Sequence, residues 1–168
     1  MVLLVPFGVL LDQITKLIAR NNLTYGKTIW IIDGLFGWTL SYNTGAAFSF
    51  LSGATWLLAI ISIVMTIAIA YLYYVQRNKI NALYRIILCL ILAGAIGNGI
   101  DRVFIGKVTD FINFNFFILF NSSFPIFNVA DIFVTCCMFL LFFLMFFDKK
   151  CNLLDFDKKE KKDDSTNH

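Results

Sequence analysis

Charge is the scarcest resource in this chain. Only 15% of its 168 residues are Asp, Glu, Lys or Arg, against roughly 25% in soluble domains. The balance is 59% hydrophobic, with nineteen Phe and a mean hydropathy of +0.76, which excludes an ordinary soluble domain and suits a lipid-facing surface. Histidine is nearly absent, and the one His is the last residue, His168. That excludes Ser–His and Cys–His nucleophilic arrangements and leaves no metal-ligand cluster. The four Cys form no CxxC pattern. Cys89, Cys136 and Cys137 sit in apolar stretches and Cys151 in a basic tail, so they are read as small apolar fillers. Internal repeats are lacking. A cleavable leader pattern is lacking too: the first apolar stretch carries Asp12, Gln13 and Lys16 without a basic region before it, and it is expected to be a retained helix.

Four apolar stretches are present, each long enough for a hydrocarbon core that needs roughly 17–25 helical residues. They are Val2–Ala19, Ala54–Val75, Leu83–Ile100 and Ile126–Phe147. One domain over residues 1–148 is expected, followed by a charged, disordered tail over 149–168. Nine basic residues lie on one side: Arg77, Lys79 and Arg85 near the short linker, and six Lys in the tail. The other side holds Arg20, Lys27, Arg102 and Lys107. Basic residues favour the cytoplasm, which places both termini inside and the two longer loops, Arg20–Gly53 and Asp101–Pro125, outside. In the first of these loops, Thr28–Ile32 and Leu35–Tyr42 are β-prone runs separated by Asp33-Gly34, a hairpin signal. In the second, Phe111–Phe117 alternates Phe and Asn and adds a possible strand. The fold class read from this pattern is a mainly α membrane protein, four transmembrane helices with a small β platform on the outer face.

Against that background, the placement of carboxylates carries the functional signal. Asp12, Asp101, Asp110 and Asp131 lie in or beside apolar spans, all toward the outer face. An ionised side chain at the bilayer centre costs roughly 2.5–3.5 kcal/mol on insertion scales, so acids there mark function by default. Asp12 and Lys16, four apart, share a helix face and can pair, either neutralising each other or orienting something at the outer mouth. Asn98, Asp101 and Arg102 cluster on one helix beside Gly94 and Gly97, with Asp101 and Arg102 read as an ion pair. Asn128 and Asp131, three apart, are read as sharing a face of the fourth helix. Asp131 has no basic residue within four positions. Asp110 and Asp131 are therefore the natural pair. Two acids in a low-dielectric site cannot both ionise easily, so they hold one shared proton near neutrality, the state aspartic peptidases use. A transporter would string polar groups across the bilayer. Here the second span and the body of the third are uncharged but for Arg85, which favours surface chemistry.

Five motifs occur in order: Asp12-x-x-x-Lys16, Asn43-Thr-Gly-Ala-Ala-Phe48, Gly94-Ala-x-Gly-Asn98-x-x-Asp101-Arg102, Gly106-x-Val-x-Asp110-Phe111 and Phe127-Asn128-Val-Ala-Asp131. In this order and at this spacing to the spans, the chain up to about Phe147 resembles the bacterial lipoprotein signal peptidases, the type II signal peptidases. The resemblance implies an integral-membrane aspartic endopeptidase of the bacterial inner membrane. Its substrate would be a prolipoprotein carrying a diacylglyceryl-modified cysteine, cut on the N-terminal side of that residue. Asp110 and Asp131 would be the catalytic dyad. Asn43, Gly94, Asn98, Arg102 and Asn128 would surround substrate and dyad, with Asp12 and Lys16 structural or substrate-orienting and Asp101 supporting Arg102. No cofactor or metal is implied. The expected partners are the substrate and membrane lipids, not nucleic acid, and the chain is expected to be a monomer. Small departures from the pattern are Ala93 where a Gly is frequent, Thr109 where an apolar residue is usual, and Ile132 where Ser is common.

Overall fold

A computed structural model describes residues 3–45, 55–115 and 124–147. Its elements are α1 (Leu4–Asn22), β1 (Thr28–Ile32), β2 (Phe36–Asn43), α2 (Thr55–Gln76), α3 (Ala82–Phe104), β3 (Val108–Phe114) and α4 (Val129–Phe147). The tail over 149–168, Ala46–Phe48 of the second motif, and Phe116 and Phe117 lie outside the described residues.

α1 is polar inside and apolar outside. Gly8, Asp12, Lys16 and Ala19 recur at helical spacing and form its buried stripe, while Phe7, Leu10, Ile14, Leu17 and Ile18 are exposed. Among the described residues, three helices, Trp56–Gln76, Ala82–Phe104 and Val129–Phe147, are long and apolar enough to cross a membrane. α1, charged at Asp12, Lys16 and Arg20, is not among them. α3 is the central helix and packs against α1, α2 and α4.

Small residues set the distances between these helices. A Cβ on Gly94 would stand 2.6 Å from the Ala130 carbonyl oxygen and 2.7 Å from Val134, so α3 and α4 meet nearly backbone to backbone there. A Cβ on Gly97 would stand 2.5 Å from the Asp12 carboxylate and 3.5 Å from Ala130 Cβ, so α1 and α4 both press on α3 there. Close approach at small residues is the usual mode of helix association in lipid. α3 runs one turn beyond the apolar span that ends at Ile100, so Asp101 and Arg102 lie on the same helix as Asn98, as expected. The apolar run ends at Asp101, but the backbone continues because partners from α1 and β3 take up that charge. Gly106, at φ 75°, then turns the chain from α3 into β3, the left-handed conformation that ends many helices.

The three strands form one antiparallel sheet in the order β1-β2-β3. β1 occupies the expected Thr28–Ile32, and the hairpin turns at Asp33-Gly34 as its sequence requires. β3 starts at Val108, earlier than the expected Phe111, and so takes in Asp110. Ser41 stands opposite Asp110 and Asn43 opposite Val108 across the β2–β3 ladder. On the other side of β3, Phe127 makes an isolated bridge to Ile112. The Phe127 carbonyl accepts from the N–H groups of Phe111 and Ile112, at 3.1 and 2.8 Å. That bridge ties the entry to α4 onto β3 and sets Asn128 beside Asp110. Cys89 and Cys137 are buried as fillers should be, whereas Cys136 is exposed.

Candidate active site

Asp110 comes from β3 and Asp131 from the first turn of α4. Asn128 binds both. Its side-chain Nδ2 donates to Asp110 Oδ1 at 2.7 Å, and its backbone N–H donates to Asp131 Oδ2 at 3.1 Å. Asn128 Oδ1 in turn accepts from the Asp131 N–H at 2.9 Å. This reciprocal pair is a capping box, with Asn128 as N-cap and Asp131 three residues on. The two residues do meet, but across the helix terminus and not along a helical face as their spacing suggests. α4 starts at Val129, three residues later than the expected Ile126, because the cap sits inside the apolar run.

Asp131 is not a lone acid. Asn98 Nδ2 donates to its Oδ1 at 2.8 Å. Asn98 Oδ1 accepts from Lys16 Nζ at 2.9 Å and from Asn128 Nδ2 at 3.1 Å. The two amide side chains, Asn98 and Asn128, are thus bonded to each other and each to one of the two acids. Asp110 is buried. Removal from water pushes its carboxyl up, and neighbouring Asp131 pushes it further, while bonds from Asn128 and Asn43 and the charge of Lys16 hold it down. The result is about 7, so Asp110 holds its proton up to the edge of neutrality.

A cleft of about 510 Å³ opens above the pair, lined by Asn43, Arg102, Asp110, Asp131, Thr135 and Phe139 among others. Phe139 on α4 and Phe124, both in its lining, are well exposed. Asn43 is held at its mouth by its own turn, with Oδ1 accepting from the Gly45 N–H at 2.8 Å. Among the described residues, Arg102 makes long contacts, 3.5 Å each, to Ser62 Oγ and to the Asn98 and Gly45 carbonyls, and it lines the cleft.

The remaining acids sit behind this layer. Asp12 and Lys16 pair at 2.8 Å, with 1% and 0% of their side chains exposed. Neither lines the cleft. Asp101 faces Lys16 at 3.5 Å and Arg20 at 3.8 Å, and accepts from the Thr109 N–H at 2.8 Å. The expected Asp101–Arg102 ion pair is not formed, because adjacent residues on a helix point apart. Gly94 belongs to the packing of α3 on α4, not to the cleft. Three participants escape a reading of the sequence alone. Gln13 donates to Asp12, to the Gly97 carbonyl and to Asp101. Arg20 donates to Thr109 Oγ1 at 2.9 Å, and the Thr109 carbonyl accepts from Asn128. Arg20 follows Asp12 and Lys16 at successive intervals of four, a series that would have pointed to it.

Residues 4–147 match the family described as signal peptidase (SPase) II. The chain belongs to the signal peptidase II family. It is 40% identical over 142 residues to the lipoprotein signal peptidase of Halalkalibacterium halodurans, covering 84% of this chain and 88% of that one. Identity to the lipoprotein signal peptidase of Pseudomonas putida is 41%, covering 83% and 82%. The one from Staphylococcus aureus is 35% identical, covering 95% and 92%. A solved bacterial membrane enzyme at 2.3 Å resolution superposes with a TM-score of 0.78 at 35% identity, over 95% of this chain and 92% of that chain. A second, at 1.9 Å, gives 0.75 at 36%, over 87% and 92%. At these identities the family's protease chemistry comes with the fold: signal peptidase II is an aspartic peptidase that processes lipoproteins.

Proposed function

We propose that Asp110 and Asp131 are the catalytic dyad through which this chain performs the family's reaction, removal of the signal peptide from a diacylglyceryl-modified prolipoprotein. The observation that carries this reading is Asn128. One residue holds one acid by its side chain and the other by its backbone, on the floor of a cleft that opens between exposed aromatic rings. The pair shares one proton near neutrality. The ionised carboxyl takes a proton from water as the water oxygen adds to the scissile carbonyl, and the protonated one gives its proton to the carbonyl oxygen. Collapse of the tetrahedral intermediate breaks the C–N bond, and a proton passes to the leaving nitrogen. The products are the signal peptide's carboxyl terminus and the new amino terminus of the lipidated cysteine. Arg102 and Asn43, at the cleft mouth, are placed to bind the substrate's backbone.

Four crossings suit this chain, with α1 as the fourth. Its charged stripe is spent on α3 and α4, and what it turns outward is Phe, Leu and Ile. A helix with apolar residues outside and paired charges inside is a membrane helix in all but mean composition. The sheet then rests at the outer leaflet, where a peptide bond next to a lipid anchor lies. Both termini are cytoplasmic by the distribution of Lys and Arg, and the chain works as a monomer among lipids.

The test is cleavage of a diacylglyceryl-modified prolipoprotein by the purified chain in detergent, with the unmodified precursor as control and product mass as readout. The reading requires a cut immediately before the lipidated cysteine and no cut in the control. Equal cleavage of both precursors would remove the lipid from the recognition.

A further inference from the structure

The geometry points to Lys16 as a positioning residue that acts on Asp131 through the amide of Asn98. This rests on the dyad reading and adds to it a role for the buried ion cluster of α1. An asparagine amide has two nearly equal-shaped ends, one donating and one accepting. Which end faces Asp131 decides whether that acid meets a donor or a second oxygen. Lys16 can only donate, so the atom it meets at 2.9 Å has to be Asn98 Oδ1. The other end, Nδ2, is thereby turned to Asp131 Oδ1 at 2.8 Å. Asn128 also donates to Asn98 Oδ1, but an amide can itself turn over and offer its oxygen. An ammonium cannot.

α1 reaches the dyad by a second route as well. Asp12 Oδ1 accepts the Ala130 N–H at 3.0 Å, one of the first-turn N–H groups of α4 that no helix satisfies for itself. Asp12 Oδ2 meanwhile holds Lys16. One acid thus ties down both the backbone that carries Asp131 and the cation that orients its neighbour. The charged groups around Lys16 and Asn98 are Asp12 and Arg20 from α1, Asp101 and Arg102 from α3, Asp110 from β3 and Asp131 from α4. None of the first three of these acids and bases opens to the cleft. Because Lys16 and Asp12 do not line the cleft, the role predicts an effect on turnover and not on substrate affinity.

The experiment uses the full-length chain in detergent with the lipid-modified precursor. Lys16→Met alone leaves Asp12 with no cation and is prone to unfold. Asp12→Asn with Lys16→Met removes both charges together, keeps an oxygen for the Ala130 N–H, and leaves Asp101 with Arg20. This pair of substitutions is expected to fold, to leave KM unchanged, and to lower kcat roughly ten- to a hundredfold, the scale on which misplaced supporting groups act. In an Asn98→Ala background, the same two substitutions are expected to cost no further turnover, since the amide through which they act is gone. Wild-type kcat in the charge-free variant would overturn the proposal. So would a kcat loss that multiplies undiminished onto Asn98→Ala, or a loss seen in KM alone. Failure of the dyad reading is separate: it would show as turnover retained by Asp131→Asn, whatever the Lys16 variants do.

Discussion

The Asn128 side chain caps α4 and also donates to Asp110, Asn98 and the Thr109 carbonyl, and the choice of substituent separates the cap from the donor. Asn128 caps α4 through Oδ1, and its Nδ2 donates to Asp110. Serine keeps a capping oxygen and loses the amide donor, so Asn128→Ser removes the bond to Asp110 while sparing the helix terminus. That bond is one of those holding Asp110 down toward 7 against burial and the charge of Asp131. A hydrogen bond to a carboxylate is worth about 1.5 kcal/mol net, and one decade in proton affinity is about 1.4 kcal/mol. The working dyad holds one proton, and raising the pH removes it. The alkaline limb of the rate profile is therefore expected near pH 7 in the wild type and about one pH unit higher in Asn128→Ser. Asn128→Ala should move the limb the same way and also lose about 1 kcal/mol of stability with the cap. The assay is kcat/KM against pH with a lipid-modified precursor, alongside thermal unfolding. A limb that stays in place or moves toward acid in Asn128→Ser would refute the assignment of that limb to Asp110.

Two further outcomes follow from the packing and from the same carboxyl. Asp110 holds its proton up to about 7 in the folded chain, against an ordinary 3.8. Between those values the folded state binds the extra proton, so stability is highest below the lower one and falls as pH rises toward 7; Asp110→Asn should flatten that slope in unfolding experiments across pH 4–7. Gly94→Ala places a Cβ 2.6 Å from the Ala130 carbonyl oxygen and should cost about 1–3 kcal/mol as α4 is pushed away. Among the described residues, a Cβ at Gly99 meets Ser62 Cβ at 3.7 Å, so Gly99→Ala should be neutral or stabilising by up to about 1 kcal/mol; equal losses at both positions would contradict the close α3–α4 contact.

The sequence speaks most clearly where the signal is local. Thr28–Ile32 and the Asp33-Gly34 turn are legible because alternation and turn chemistry act over a few neighbours. The Asp12–Lys16 pair is legible because helical spacing alone brings the two together. Boundaries fail where a charge interrupts an apolar run whose partner lies elsewhere. α3 continues through Asp101 because Lys16, Arg20 and the Thr109 N–H receive that carboxylate, and none of the three is near it in the chain except Thr109. The Asn128–Asp131 spacing is equally a helix face and a capping box, and only the bridge from Phe127 to Ile112 decides between them. Gln13 and Thr109 stay hidden because each acts across elements, and Arg20 is marked only by the four-residue series it shares with Asp12 and Lys16. Thr109 looks like a departure from the family pattern in one dimension and like a junction of three hydrogen bonds in three.

The central claim is that Asp110 and Asp131 act as one catalytic unit. The direct test is single-turnover cleavage of a diacylglyceryl-modified prolipoprotein by Asp110→Asn and by Asp131→Asn, each first shown by thermal unfolding to be folded. Both variants are expected to give no product above the uncatalysed background. Turnover retained by either folded variant would remove that residue from the dyad and contradict the account.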